Sequence, residues 1–327
     1  KSLQLWTLCA ANTRICAFRD ALLPLLCRFE VLCRLLQFRP SAPVAAAAAS
    51  RTLRSTTPHR CTRCRRAADA SAAMARAALR LVELPRWPIK RMLRLEEALV
   101  RHEPGNWCLI TALPPQQPTV VVGLGGKPER LLDAGELQKR PVPVIRRFTG
   151  GGTVVVNGGV VVTSLIVDKG CEACAPFPRD IMKWTEGIYR DAFSQMIDST
   201  QFALRDHDYV FQDRKVGGNA QSIVKDKWIH HTSFLWDFDE ADMRYLTLPE
   251  KRPEYRGDRS HDDFLAKLGA LSGVDAGEGA LKLASGLFDS LGAAFDVERG
   301  SLSELEAVEA RHSSGGWRPV DFPPSGG

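Results

Sequence analysis

The strongest constraint on this chain is Arg146-Arg147-Phe148-Thr149-Gly150-Gly151-Gly152-Thr153, which runs directly into Val154-Val155-Val156. Three consecutive glycines expose bare backbone N–H groups and accept positive φ without strain. A β-branched run behind them predicts a strand. Successive amides in such a turn form an anion-binding concavity, and arginine forks suit phosphate or carboxylate. The competing structural reading is a hairpin turn with two arginines nearby.

Charge is unevenly spread along the 327 residues. Residues 1–73 hold 12 Lys+Arg against 3 Asp+Glu, a net +9, so the remainder of the +6 chain carries −3. The basic pI belongs to the leading segment, and it does not argue for a nucleic-acid partner. That segment is rich in Arg, Ala, Ser and Thr and poor in acids, the composition of an organelle transit peptide. Met74 offers the other reading: a cytoplasmic start, with residues 1–73 upstream or disordered sequence. No window of about eighteen apolar residues occurs, so no membrane span is expected.

Six of the nine cysteines lie in residues 1–73, leaving Cys108, Cys171 and Cys174 in the body. Three thiols in a body of this size predict a reducing compartment without a disulfide framework. Cys61-x-x-Cys64 and Cys171-x-x-Cys174 have zinc-ligand spacing. They stand over 100 residues apart, and free thiols are the expected state.

Apolar spacing at Met92, Leu95 and Leu99 predicts a helix over Arg91–Glu103, stopped by Pro104-Gly105. Strands follow at Trp107–Thr111 and Thr119–Val122, with Pro114-Pro115 turning between them, and then a short helix at Leu131–Lys139. Thr153–Asn157 and Val160–Val167 read as a hairpin closed by Asn157-Gly158-Gly159. The longest helix is expected over Ile181–Ile197. Asp206–Ser222 reads as strand, turn and a small-residue strand, and Lys225–Asp237 as a strand with mixed faces. His230 and His231 then face opposite sides and cannot easily share one site. Ser260 with Asp263 predicts a capped helix through Leu271, and Gly279–Phe295 another. The tail over 299–327 is charged, then Ser/Gly/Pro-rich, and is expected to be disordered.

Three blocks carry a resemblance: Arg146-Arg147-x-x-Gly150-Gly151-Gly152-x-Val154, Arg214-Lys215-Val216-x-Gly218-Asn219-Ala220-Gln221, and His230-His231 before an apolar strand. In order and spacing they resemble the lipoate–protein ligase A branch of the biotin/lipoate ligase family, over about residues 79–270. The resemblance implies an α+β catalytic domain spanning 74–298, a mixed sheet flanked by helices and similar to class II aminoacyl-tRNA synthetases. It implies ATP and Mg2+ as cofactors, and a two-step ligation. Lipoate or octanoate would form an acyl-adenylate, then pass to a lysine of an apo lipoyl-domain protein, such as a 2-oxoacid dehydrogenase subunit or the glycine cleavage H protein. By the same resemblance Lys215 would be catalytic. Arg146, Arg147, Thr149, Gly150, Gly151, Gly152, Thr153, Gly218, Asn219, Ala220, Gln221 and His231 would bind substrate or ATP, and Asp208 would stand beside the metal. The chemistry suits these residue types: adenylation needs fixed positive charge and backbone donors where phosphate charge builds up. Asn219 and Gln221 would read the adenine or ribose, or merely close the turn.

The chain departs from the family pattern where a His-Asp pair usually follows the glycines. Val156-Asn157 stands there, and Thr232 replaces the glycine after the second histidine. Two further readings remain. An ATP-independent octanoyl- or lipoyltransferase would need a cysteine nucleophile, and no cysteine follows Cys174. A fold relative that binds without turnover is the other.

Overall fold

The computed structural model describes residues 76–111, 117–248 and 253–312, with positions 320 and 322. The basic segment 1–73, Met74, the Cys61-x-x-Cys64 pair and the Pro114-Pro115 turn lie outside the described residues. Eleven strands occur among those described: β1 (Ala78–Leu84), β2 (Asn106–Thr111), β3 (Thr119–Val122), β4 (Val144–Arg146), β5 (Val154–Val156), β6 (Val160–Asp168), β7 (Phe202–Arg205), β8 (Asp208–Phe211), β9 (Arg214–Ile223), β10 (Lys227–Leu235) and β11 (Asp296–Arg299). The principal helices are α1 (Ile89–His102), α2 (Pro178–Phe193), α3 (Ala276–Leu291) and α4 (Leu302–His312).

Eight strands form one mixed sheet in the order β11-β1-β2-β6-β10-β9-β8-β7. β1 runs parallel to both β11 and β2, and the remaining pairs are antiparallel. A second sheet has the order β4-β3-β5. The two sheet faces bury separate apolar clusters. One joins α1 and the small sheet to the large sheet through Met92, Leu99, Val121 and Ile229. The other joins α2 and α3 to the opposite face through Tyr189, Leu283, Trp228 and Phe234. Both faces of β6 and β10 are covered, which is why these strands read as nearly continuous apolar runs. The expected α+β architecture is the one observed.

Three local expectations are corrected. β5 and β6 do not form a hairpin: β5 pairs with β3 in the small sheet, while β6 lies between β2 and β10. Asn157-Gly158-Gly159 therefore carries the chain between sheets. Its Asn157 amide donates to Asp242 Oδ2 at 3.0 Å and its Oδ1 accepts from Gly159 N. The Ser260-capped helix stops at Phe264, and the next begins at Leu268, because the intervening backbone bridges to Lys215. The tail is not disordered from 299: Leu302–His312 is α4. Its buried Leu305 and Val308 join the α1 side of the core, and each such side chain contributes roughly 1.5–3 kcal/mol. Two side chains one turn apart in a charged segment are too sparse to read as an amphipathic stripe.

Candidate active site

The glycine turn docks on β9. Gly150 N donates to Gln221 O at 3.3 Å. Gly151, at φ +97°, is closely packed: a Cβ there would lie 3.3 Å from Ala220 Cβ and 3.2 Å from Asn219 O. The first and second blocks of the sequence are thereby brought together on β9, third from one edge of the large sheet.

A β-bulge decides which side chains of β9 reach this place. Asp208 pairs with Gly218 and Tyr209 with Gly217, but Val210 pairs with Lys215, which leaves Val216 unmatched. Val216 belongs to the α2/α3 cluster, and Gly217 lies against the Phe234 ring on that same face. Two consecutive residues on one face throw Lys215 onto the other, beside Gly218 and Ala220. Lys215 Nζ sits 2.6 Å from Asp208 Oδ1, and a Cβ on Gly218 would lie 3.3 Å from that nitrogen. The Lys215 backbone is held as well, through Ala266 N donating to its carbonyl at 2.8 Å.

Behind the turn lies a buried polar network. The Glu96 carboxylate, fully buried on α1, accepts from Ser164 Oγ at 2.5 Å and meets His231 Nδ1 at 3.1 Å. The second histidine thus shares a face with Ala220, its cross-strand partner. His230 takes the opposite face, with Tyr209 OH at 2.9 Å and Gln221 Nε2 at 2.8 Å. Burial, and secondarily the neighbouring His231, pushes its pKa down to about 3. Thr232, in the place of the family's glycine, is buried and bonded to Tyr189 OH at 3.0 Å.

The arginine and amide side chains expected to bind substrate or ATP have protein partners in this structure. Both arginines hold backbone carbonyls. Arg146 donates to Gly126, Leu124 and Gly123 O at 2.7, 3.0 and 3.1 Å. Arg147, buried at 3% exposure, donates to Gly152 and Gly150 O at 2.6 and 2.9 Å. Burial draws its pKa down to about 10 against the opposing charge of Glu96. Through these bonds Arg147 shapes the glycine turn and Arg146 the turn at Gly123–Gly126. Asn219 and Gln221 are turned away from Lys215 by the strand's alternation. Asn219 donates to His207 O, while Gln221 donates to Pro178 O as well as meeting His230. Both side chains make these contacts on the face of β9 opposite Lys215. Asp208 is the lysine's counter-ion, and its second oxygen accepts from Tyr255 OH at 2.9 Å.

The donor set left for a ligand is specific. Thr149 Oγ1 and Thr153 Oγ1 are buried without a hydrogen-bond partner, which in a native structure signals a group to be satisfied by something else. Among the described residues the Gly151 and Gly152 amides also have no protein acceptor. Hydroxyl and amide donors of this kind suit a phosphate. They do not fit a dedicated metal cage: no group of three His, Cys, Asp or Glu side chains converges among the described residues. Asp208 has one partner on each oxygen, Lys215 and Tyr255.

Glu96 and Tyr255 were missed in the sequence. Glu96 carried a signal, a charge on the apolar stripe between Met92 and Leu99. Tyr255 carried none, since it comes from a turn more than 30 residues beyond Lys215.

The lipoyl protein ligase A/B catalytic domain family matches residues 88–278, more than half of the chain. The chain belongs to that family. Within it, the resemblance is to the ligase A branch. The "Inactive lipoate–protein ligase 2" of Plasmodium falciparum is 29% identical over 195 residues, covering 50% of each chain. The lipoate–protein ligase LplJ of Bacillus subtilis is 26% identical over 146 residues, 44% of this chain and 42% of that one. The chain spans about half the length of the curated relatives it matches. Among solved structures, a lipoate–protein ligase A bound with ATP superimposes with a TM-score of 0.55 at 16% identity, covering 72% of this chain and 94% of that one. A bipartite lipoate–protein ligase of Thermoplasma acidophilum gives 0.57 at 18%, covering 73% and 93%. At these identities the structural likeness speaks for the fold of this family member. Among the described residues no helix is long and apolar enough to cross a membrane.

Proposed function

We propose that this chain is an ATP-dependent lipoate–protein ligase. A carboxylate oxygen of lipoate or octanoate attacks the α-phosphorus, forming the acyl–phosphate bond as the α–β bond breaks and pyrophosphate leaves. The ε-amine of a lipoyl-domain lysine then attacks the acyl carbon, forms the amide, loses its proton to solvent and releases AMP. The acceptors would be 2-oxoacid dehydrogenase subunits or the glycine cleavage H protein. The catalytic domain would span 74–298, with α4 packed against it, in an organelle if residues 1–73 are removed as a transit peptide and in the cytoplasm if Met74 is the start. The observation that carries the reading is Lys215 Nζ, presented over Gly218 beside a turn whose Thr149 hydroxyl is buried and unpartnered. One ammonium there can bridge acyl oxygen and α-phosphate, and donors fixed in advance stabilise the charge that develops. Magnesium arriving with the nucleotide would neutralise phosphate charge, held mainly by the phosphates themselves.

The thiols support ligase over transferase. Burial pushes Cys108 up to about 12 and Cys174 up to about 11, and raises Cys171 as well. None is poised as a thiolate, the form that a thioester mechanism requires. One specific observation favours a second reading, a relative that binds acyl-nucleotide without turnover. Asn157 is committed to Asp242, and Val156 is buried in the small sheet, where the family usually has His-Asp.

The deciding experiment mixes the protein with ATP, Mg2+, lipoate and an apo lipoyl domain. The ligase releases pyrophosphate and modifies the domain, and Lys215→Ala abolishes both. Domain modification from an acyl-carrier thioester without ATP would establish the transferase. Binding of lipoyl-AMP without turnover would establish the non-catalytic relative.

A further inference from the structure

We infer that Tyr255 is a positioning residue for Lys215: its hydroxyl fixes the Asp208 carboxylate, and that carboxylate aims the lysine ammonium. The role in turnover rests on the ligase reading above. Asp208 is 8% exposed, so both of its oxygens need donors. Lys215 Nζ supplies one at 2.6 Å and Tyr255 OH the other at 2.9 Å. An ammonium has three N–H donors. One is spent on Asp208, and the direction of the other two follows from where Asp208 is held. Those two are the donors that acyl oxygen and α-phosphate would share.

Tyr255 is itself held from several sides. It lies on the turn Glu254–Arg256, and Arg259 donates to its carbonyl at 2.6 Å. Arg259 also reaches Asp213 Oδ2 at 3.2 Å, which ties the turn to the β8–β9 loop. The ring packs on Phe264 with centroids 5.3 Å apart, and Arg205 lies over it at 5.6 Å. Burial and the Asp208 charge raise the pKa of the phenol, so its O–H stays a donor. Tyr255 touches no reacting atom in this arrangement; it acts through Asp208.

The test compares full-length wild type, Tyr255→Phe, Asp208→Asn and the double variant. Tyr255→Phe keeps the ring contacts and removes only the hydroxyl. The expected result is kcat for pyrophosphate release reduced about tenfold, as misplacement of a reacting group does, with KM for ATP and lipoate within about twofold of wild type. The same substitution in the Asp208→Asn background should have little further effect. A change confined to KM, or equal losses in both backgrounds, overturns the inference. A second readout needs no turnover: the rate at which acetic anhydride labels Lys215, followed by peptide mass spectrometry. Without the phenol the carboxylate charge falls undivided on the ammonium, and labelling should slow about threefold. Unchanged or faster labelling overturns the inference. Wild type that releases no pyrophosphate, yet shows the slowed labelling in Tyr255→Phe, refutes the ligase reading and leaves the positioning intact.

Discussion

Lys215 and Gly218 face the same side of the large sheet because Val216 and Gly217 both face the other. A regular strand would alternate Lys215 with Val216 and set it opposite Gly218. Gly218→Ala should therefore disturb the lysine and little else. The new methyl would meet only the mobile end of Lys215, 3.3 Å away at Nζ. The melting temperature should hold within a few degrees, while pyrophosphate release falls about tenfold through displacement of the ammonium. Calorimetry beside a pyrophosphate assay checks both halves.

Gly151→Ala should act on stability first. The residue sits at φ +97° with Arg147 Nη2, Asn219 O and Ala220 Cβ around the missing side chain. Left-handed backbone costs an L-residue about 1–2 kcal/mol, and the crowding adds to it. Urea unfolding should show the loss, and the displaced turn should weaken nucleotide binding measured by calorimetry.

Restoring the acid of the family pattern with Asn157→Asp should be unfavourable here. Asn157 Nδ2 donates to Asp242 Oδ2 at 3.0 Å. An aspartate would put two carboxylates in that contact with no donor between them, costing about 1–3 kcal/mol at neutral pH. A lower urea midpoint is the expected outcome, and an unchanged one would show that Arg140, 3.6 Å from Asp242 Oδ1, absorbs the added charge.

His230 should dominate acid sensitivity in the middle range. Its folded pKa of about 3 lies below the ordinary value of 6.5 because burial disfavours the charged ring. The unfolded chain therefore binds the extra proton between these values. The stabilisation is complete above 6.5 and falls by about 1.4 kcal/mol per unit as pH drops toward 3. Unfolding free energies measured from pH 7 to 4 should decline on that slope, and His230→Gln should flatten it.

Leu305→Ala tests whether α4 is part of the folded body. Leu305 is fully buried on the α1 side of the core. Truncation should cost about 2–5 kcal/mol in unfolding experiments. A loss near zero would mean that the helix does not dock.

The sequence by itself determined the main elements and the meeting of two motifs. α1, β2, β3 and β10 follow from apolar periodicity and from Pro and Gly punctuation, which act within a few residues. That Gly150–Gly152 and Gly218–Gln221 belong together was implied by the family resemblance of the two blocks, and in the structure the turn does pack on β9. Tertiary structure alone decided which groups face that site. The bulge at Val216 depends on how β9 registers against β8, and it puts Lys215 with Gly218 while turning Asn219 and Gln221 away. Arg146 and Arg147 found carbonyls of β3 and of the turns, acceptors that only the docked small sheet supplies. The partition of β5 and β6 between two sheets follows from pairings with strands outside the local stretch, and the burial of α4 from contacts with α1 at the other end of the described chain, where spacing is silent. The triple glycine is legible from sequence as a backbone turn with exposed amides; that Arg147 spends its guanidinium on the carbonyls of that turn, and that Lys215 pairs with Asp208, only folding decided.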